Sequence, residues 1–415
     1  MIKNYSFKNL CSYRDECFVD FTVNKKAPHS YYDYELIDGT KVAKVMAVLG
    51  ANGAGKSNLL KPLSFLSWFI PDSFGSIEKD ASLPLLPYLL NHEEENTRID
   101  LEFVIPVCED IDTQFEYKYS IEFNENQVIY ESLKFKTSKL YSNVLTRTYN
   151  HLTKKYDIKN NKKIGVNLSD SILERAPSNC SIISYAMSLI PEDEHGKNDY
   201  LSVVSYYFGH NKSNIGAMGR ANLSDDIDSA TEFYLKHPNF FDRVKRLLMG
   251  YDLGISDISL EKKMLINGQT GKEIEKVIPM FLHSAEDGEF EIPVFLESSG
   301  TQSAYCILAL ITETLKCGGV AILDEFDNDL HPLLTIQILE LFKDPSVNKY
   351  NAQLLFNTHT VDVLKELRMQ HCYLVEKNDG ISEAYRADDV EGLLARDNLY
   401  AKYISGALGA IPEFN

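Results

Sequence analysis

The alternation of apolar and polar positions divides the chain into stretches that read as sheet and stretches that read as helix. Ile2 to Phe7 and Cys17 to Val23 are short strand-like runs separated by the turn-rich Ser12-Tyr13-Arg14-Asp15. A mostly apolar run, Val42 to Leu49, reads as a buried strand, and Asn58 to Ile70 has helical character. Pro62 lies inside that helix, where it is expected to kink it or mark its early end. A loop rich in Pro, Ser and Glu spans residues 71 to 97. Phe115, Tyr117, Tyr119, Ile121 and Phe123 then alternate with mostly polar partners, and Ile99 to Ile105 and Val128 to Phe135 behave alike. These segments predict an antiparallel meander.

Residues 137 to 255 have a weaker period. Helices are expected near Ser169 to Arg175 and Cys180 to Leu189, before an acidic break from Pro191 to Gly196. Ser224 reads as the N-cap of Ile227 to Leu235, and Phe240, Val244, Leu247 and Leu248 recur at helical spacing up to Gly250. Strand-like runs return at Val277 to Leu282 and Phe290 to Leu296, with Pro279 and Pro293 predicting edge positions. The expected division is an N-terminal lobe over 1–136, a mostly helical insertion over 137–255 and a C-terminal lobe over 256–415. The two opening runs read as the edge of the sheet that contains Val42 to Leu49.

Between the buried strand and the first helix stands Gly50-Ala51-Asn52-Gly53-Ala54-Gly55-Lys56-Ser57, which fits G-x-x-x-x-G-K-[ST] at every fixed position. Glycines there let backbone N–H groups turn inward on a polyphosphate, and the helix N-terminus adds its positive dipole end. Lys56 is placed to reach the β/γ-phosphates and Ser57 to put its hydroxyl on Mg²⁺.

Composition narrows the field. With 42 basic against 60 acidic residues the formal charge is −18, so the chain as a whole lacks the footprint of a non-specific DNA or anionic-membrane binder. Residues 134–163 gather eight lysines and Arg147 against Asp157, and read first as a solvated hairpin surface, second as a basic patch. Seven scattered cysteines without a C-x-x-C argue against a disulfide framework or zinc site. No apolar run has transmembrane length, so a cytoplasmic protein is expected.

A second constellation lies downstream. Val320-Ala321-Ile322-Leu323 is an apolar strand ending in Asp324-Glu325. After a phosphate loop, such a pair reads as a Mg²⁺-holding carboxylate, Asp324, and a catalytic one, Glu325, that polarises the attacking water. Gln353 to Phe356 reads as another buried strand, and His359 just beyond it lies where such sheets bind ligands. Ser299-Gly300 opens a long apolar run, Ala304 to Leu315, and is either an anion-binding helix start or an ordinary capped one.

Phosphate loop, Ser299-Gly300-Thr301-Gln302, Asp324-Glu325 and His359, in this order, resemble the ABC-type ATPase heads of the SMC and RecF group. Ser299 to Gln302 resembles that group's Leu-Ser-Gly-Gly-Gln signature, with Ser298 in place of Leu and Thr301 in place of the second Gly. More closely, the chain resembles the AAA15 family of ATP-binding proteins, many of which sit in bacterial anti-phage systems. The features carrying this are Phe7 to Tyr13, Asp252 to Ile255, Glu297 to Thr301, Asp324 to Pro332 and Tyr403 to Pro412.

The resemblance implies an α/β fold: a P-loop ABC-type ATPase head with an antiparallel β subdomain and a mostly helical insertion, using ATP and Mg²⁺. It implies a homodimer or higher homo-oligomer in which Ser299 and Gly300 of one head close on nucleotide held by residues 50–57 of another. His359 becomes the switch histidine, and Asp329 to His331 the loop through which two sites sense each other, although His331 stands where transporters usually have Asp. Asn91 is the one candidate for the Q-loop position. The function implied is an ATP-driven switch in anti-phage defence that holds or releases a partner effector such as a nuclease. The alternative is a RecF-like DNA-binding repair or end-sensing ATPase. A self-contained nuclease like the OLD proteins, with Leu374-Val375-Glu376 imitating a Toprim strand, leaves too few residues for the rest of such a domain.

Overall fold

The computed structural model describes the chain except for residues 79–80, 91–94, 108–109, 137, 192–199, 217–218, 222–225, 252–253, 267–272, 329 and 412–415. Ser224, Asp252, Leu253 and most of the acidic break therefore lie outside the described residues. The chain opens with β1 (Ile2–Lys8), β2 (Cys17–Asp20), β3 (Thr22–Val23), β4 (Asp33–Glu35) and β5 (Lys41–Ala43), then reaches β6 (Val45–Gly50) and helix α1 (Lys56–Ser76). Five strands follow: β7 (Thr97–Val107), β8 (Asp110–Phe123), β9 (Val128–Lys136), β10 (Tyr141–Asn150) and β11 (Lys155–Asn160). Helices α2 (Asp170–Leu173), α3 (Ile182–Ser188) and α4 (Tyr200–Gly209) lead to three two-residue strands, β12 (Lys212–Ser213), β13 (Ile215–Gly216) and β14 (Gly219–Arg220). Next come α5 (Ile227–Lys236), α6 (Pro238–Tyr251), β15 (Ile255–Ile266), β16 (Glu273–Ala285) and β17 (Gly288–Pro293). The last part holds α7 (Ser299–Cys317), β18 (Val320–Leu323), α8 (Pro332–Lys343), β19 (Gln353–Asn357), β20 (Cys372–Asn378), β21 (Ile381–Arg386) and α9 (Leu399–Ile404).

The central sheet has the order β12-β18-β19-β6-β20-β21, parallel throughout except for β21. Every residue of β6, β18 and β19 is buried, as expected of parallel strands covered on both faces. Their alternating side chains feed two separate cores. Met46, Val48, Ile322 and Leu355 point into one with α1, and Val45, Ala47, Leu323 and Phe356 into the other with α5 to α8.

Helix α1 is sandwiched between the central sheet and a seven-stranded antiparallel sheet of order β11-β10-β9-β8-β7-β1-β2. The expected meander is there, extended by β10 and β11, so the 137–255 stretch opens with sheet and turns helical at Asp170. The two opening strands are placed differently from expectation. They join this antiparallel sheet, Tyr5 opposite Leu101 and Phe7 opposite Ile99, because Tyr5 and Phe7 bury their rings in the core around α1.

Pro62 does not end α1, which runs through both Pro62 and Pro71 to Ser76. An interior proline costs about 3 kcal/mol. Against that stand Leu59, Leu60, Leu63, Leu66, Phe69 and Ile70, all buried, at ~1.5–3 kcal/mol each. Packing on both sides holds the helix together.

In the third sheet, β15-β16-β17, the proline-bearing β16 is central. The edge reading nevertheless holds locally: Met280 is the last residue paired to β17, through Pro293, so Pro279 is flanked by β15 alone. Of the 134–163 cations, Lys134, Lys139, Lys154, Lys155, Lys159 and Lys163 are exposed, and three others are paired. Arg147 is fully buried against Glu131 at 3.1 Å, Lys136 pairs with Glu116 at 2.5 Å, and Lys162 pairs with Asp170 at 2.9 Å. Among the described residues no helix is long and apolar enough to cross a membrane.

Candidate functional site

The loop of residues 50–57 joins the carboxyl end of β6 to the start of α1, at the ligand-binding end of the parallel sheet. Gly50 has no room for a side chain: a Cβ there would lie 2.4 Å from the Val375 carbonyl oxygen of β20. Gly53 and Gly55 have φ of +75° and +115°, which L side chains rarely adopt. Asn52 and Gly53 are exposed, and Ala51 and Gly55 are half-buried. Ala54 is buried, and its carbonyl accepts the Ser382 hydroxyl at 2.5 Å. Lys56 folds back over this cradle, donating to the carbonyls of Gly50 and Ala51, each at 3.1 Å. Burial pushes its pKa down, with Glu325, Asp324 and Asp327 pulling the other way.

The sheet order brings three strand ends together here. Ser57 Oγ donates to Asp324 Oδ1 at 2.7 Å across 267 residues of sequence. A hydroxyl and a carboxylate so placed are the donor set of an octahedral, oxygen-liganded Mg²⁺ carrying nucleotide phosphates, so the residues fit the cation and the loop fits its nucleotide. Asn357, at the end of β19, donates to Asp324 Oδ1 at 2.5 Å and accepts the Glu325 amide at 2.5 Å. Glu325 has φ of +45°, a conformation that swings its side chain out of the strand direction.

The Glu325 carboxylate is surrounded by donors. His359 Nε2 lies 3.3 Å from Oε1, while Asn328 Nδ2 lies 2.9 Å and Arg220 Nη1 3.4 Å from Oε2. Burial pushes the Glu325 pKa up, but hydrogen bonds from Asn328 and His359, with the charges of His359 and Arg220, hold it below the usual value. His359 thus sits beside Glu325. Its flanking threonines are pinned by Asp327, whose Oδ2 accepts the Thr358 hydroxyl at 2.6 Å and the Thr360 hydroxyl at 2.5 Å.

Asn214, Asn357, Asp327 and Arg220 were given no role by sequence reading, since single Asn, Asp and Arg residues carry no local pattern. Asn91 and Asp329 lie outside the described residues. The side-chain amides found beside Asp324 are those of Asn214 and Asn357, and Asn214 bonds the Asp324 amide and carbonyl at 2.7 and 2.8 Å.

Ser299 and Gly300 take no part in this cluster. They are the first residues of α7, with Ser299 exposed, and the helix is capped by Ser298, whose Oγ accepts the Thr301 amide at 3.1 Å. The structure thus shows a capped helix start with Ser299 exposed beside it. Nineteen residues give α7 a length of ~28 Å. His331 caps α8, its Nδ1 accepting the Leu333 amide at 3.2 Å. Glu376 is occupied by the Tyr385 hydroxyl at 2.9 Å and the Ala410 amide at 2.7 Å, so it ties down the C-terminal segment.

The architecture is α/β, as expected, with a phosphate loop at the end of a parallel sheet, an antiparallel β subdomain and a helical stretch between that loop and Ser299. A family model, AAA_21, described as "AAA domain, putative AbiEii toxin, Type IV TA system", matches residues 45–364. No curated protein matches the chain in sequence. Among solved structures the chain is similar to the SMC head domain from Thermotoga maritima, at 14% identity and a TM-score of 0.38, over 93% of this chain and 98% of that one. It is also similar to the Smc head domain with a coiled coil and joint from Pyrococcus yayanosii, at 10% identity and a TM-score of 0.42, over 98% and 99%.

Proposed function

Because the chain belongs to the AAA_21 family of AAA domains, we propose that it binds Mg-ATP on residues 50–57 and hydrolyses it as a nucleotide-driven switch. The observation that carries this reading is the 2.7 Å contact between Ser57 Oγ and Asp324 Oδ1, with Glu325 next in sequence. When bound, Mg²⁺ supplies charge neutralisation on the phosphate oxygens. Lys56 exchanges the Gly50 and Ala51 carbonyls for phosphate oxygens. Ser57 and Asp324 hold the cation. Glu325, kept ionised by its donors, accepts the hydrogen bond of the attacking water, and His359 lies close enough to follow the γ-phosphate.

Ser299 and Gly300, at the solvent-facing start of α7, close the nucleotide site of a second copy, so the active species is a homodimer or larger homo-oligomer. The switch works in anti-phage defence in the cytoplasm, holding or releasing an effector such as a nuclease. That setting is supported by the AAA15 resemblance and by the family description, which names a toxin of a Type IV TA system.

Two measurements test this. Wild-type chain should hydrolyse Mg-ATP and Lys56→Ala should not; turnover that survives Lys56→Ala sinks the site assignment. Glu325→Gln chain should gain mass in solution with Mg-ATP, and Ser299→Arg should abolish the gain. An ATP-driven gain in mass that persists in the Ser299→Arg chain rules out the sandwich.

A further inference from the structure

The segment 211–221 comes from the stretch between phosphate loop and signature, yet it is fastened to the catalytic edge of the central sheet. Its strand β12 pairs with β18, the strand that ends in Asp324, Lys212 opposite Ala321 and Ser213 opposite Ile322. Asn211 Oδ1 accepts the Val320 amide at 2.9 Å, and Asn211 Nδ2 donates to Ser67 Oγ of α1 at 3.1 Å. Ser64 of α1 donates to the Ile215 carbonyl at 2.9 Å, and Lys212 pairs with Glu313 of α7 at 3.0 Å. Asn214 is buried with its side chain on the Asp324 main chain. Six residues later the β13–β14 hairpin returns, Arg220 opposite Ile215, and aims Arg220 back at the same spot.

Arg220 Nη1 donates to the Glu325 carbonyl oxygen at 3.0 Å and to Oε2 of its carboxylate at 3.4 Å. One guanidinium nitrogen therefore holds both ends of Glu325, main chain and side chain. Glu325 needs such a hold because its φ of +45° is a sparsely populated backbone state that neighbouring groups must fix. The Asn357 contact fixes its amide, and Arg220 fixes its carbonyl. Strand β14 pairs with β13, whose Ile215 is tied to α1 and which follows directly on β12 beside β18, and this brings Arg220 to Glu325.

We infer that Arg220 is a positioning residue for hydrolysis, acting through Glu325 in the same chain. The inference rests on the reading of Glu325 as the residue that orients the attacking water. Arg220 has no part in holding the phosphate loop, so its removal should spare nucleotide binding and impair turnover. A misplaced catalytic group loses on the order of 10²-fold in rate. Lysine at 220 keeps a cation but on a flexible stem without the planar, pre-organised guanidinium, so it should restore part of the loss.

The test uses the full chain with Mg-ATP. Arg220→Ala should lower kcat by about tenfold or more, while KM and the affinity for a non-hydrolysable ATP analogue stay within about threefold of wild type. Arg220→Lys should lie between the two. In the Glu325→Gln chain, Arg220→Ala should lower the residual rate by less than about twofold, since the group it positions is gone. A kcat for Arg220→Ala equal to or above wild type overturns the inference, as does a loss of analogue binding that matches the loss of rate, or full additivity with Glu325→Gln. Wild-type chain without Lys56-dependent turnover overturns the proposed function as well, whereas normal wild-type turnover with an indifferent Arg220→Ala overturns this inference alone.

Discussion

Asn214 holds Asp324 by its main chain: Asn214 Oδ1 accepts the Asp324 amide at 2.7 Å, and Nδ2 donates to the Asp324 carbonyl at 2.8 Å. The two residues are 110 apart in sequence, and the pairing copies a step of the parallel ladder that β12 is too short to make. It leaves the Asp324 carboxylate free for Ser57 and Asn357.

Replacing Asn214 by Ala strands a buried amide and carbonyl without partners. Leaving such groups unsatisfied costs about 1–3 kcal/mol each. The Asn214→Ala chain should show a lower urea midpoint and at least about tenfold weaker Mg²⁺-dependent turnover, read together in one preparation. Unchanged Mg²⁺ dependence would show that β12 alone fixes Asp324.

Asp327 is buried, and its Oδ2 takes three hydrogen bonds from the segment that carries His359: both threonine hydroxyls and the Thr360 amide at 3.1 Å. Asp327→Ala should loosen that segment, lowering stability by about 2 kcal/mol and cutting kcat more than nucleotide affinity. Asp327→Asn retains an acceptor oxygen and should recover most of the activity. Equal damage from both variants would point to charge rather than acceptance. Steady-state kinetics and calorimetry decide between them.

Gly50→Ala is expected to disable the phosphate loop. The added Cβ would meet the Val375 carbonyl at 2.4 Å, and that oxygen belongs to a strand paired in register with β6, Val375 opposite Gly50. Relief requires the two strands to part, at about 1–3 kcal/mol for overpacking. A thermal melt and an ATP-binding titration should both fall; full affinity in Gly50→Ala would contradict the close approach.

Acid stability should depend on Glu116. Burial raises this carboxyl, but hydrogen bonds from Lys136, Tyr141 and Lys3 outweigh it and hold the group at about 2, below its ordinary 4.5. A folded-state pKa lower than the unfolded one gives stability that is full above about 4.5 and is lost as pH falls toward 2. Urea midpoints measured from pH 7 to pH 3 should therefore show a constant advantage of wild type over Glu116→Gln down to about pH 4.5, shrinking below it. An advantage that grows on acidification would reverse the sign of this argument.

The parts legible in the sequence are those whose chemistry is written locally. Gly50 to Ser57 needs only its own glycines and the strand before it, and Val320 to Glu325 only an apolar run and two acids. The meander shows because Phe115 to Phe123 alternates apolar with mostly polar residues and the runs on either side behave similarly. What stayed hidden depends on partners far along the chain. Nothing in Ile2 to Phe7 says whether it pairs beside Val45 or beside Leu101, and the answer came from which rings cover α1. Lys212-Ser213 is too short to show any period, and with β12 unseen, Asn214 and Arg220 had no reason to be singled out. Pro62 does not end α1 because a local rule for isolated helices is outweighed by burial on both sides of the helix.

The place of β6 in its sheet has a consequence for synthesis. Its neighbours are β19 and β20, and Gln353, where the earlier of the two begins, leaves the ribosome roughly 300 residues after Gly50, on the order of half a minute at ~10 residues per second. Throughout that interval an apolar strand of six residues has neither edge paired. A nascent chain in this state is a client for holding chaperones, and any message cut short before residue 353 yields a phosphate loop whose strand has no neighbour to mount it.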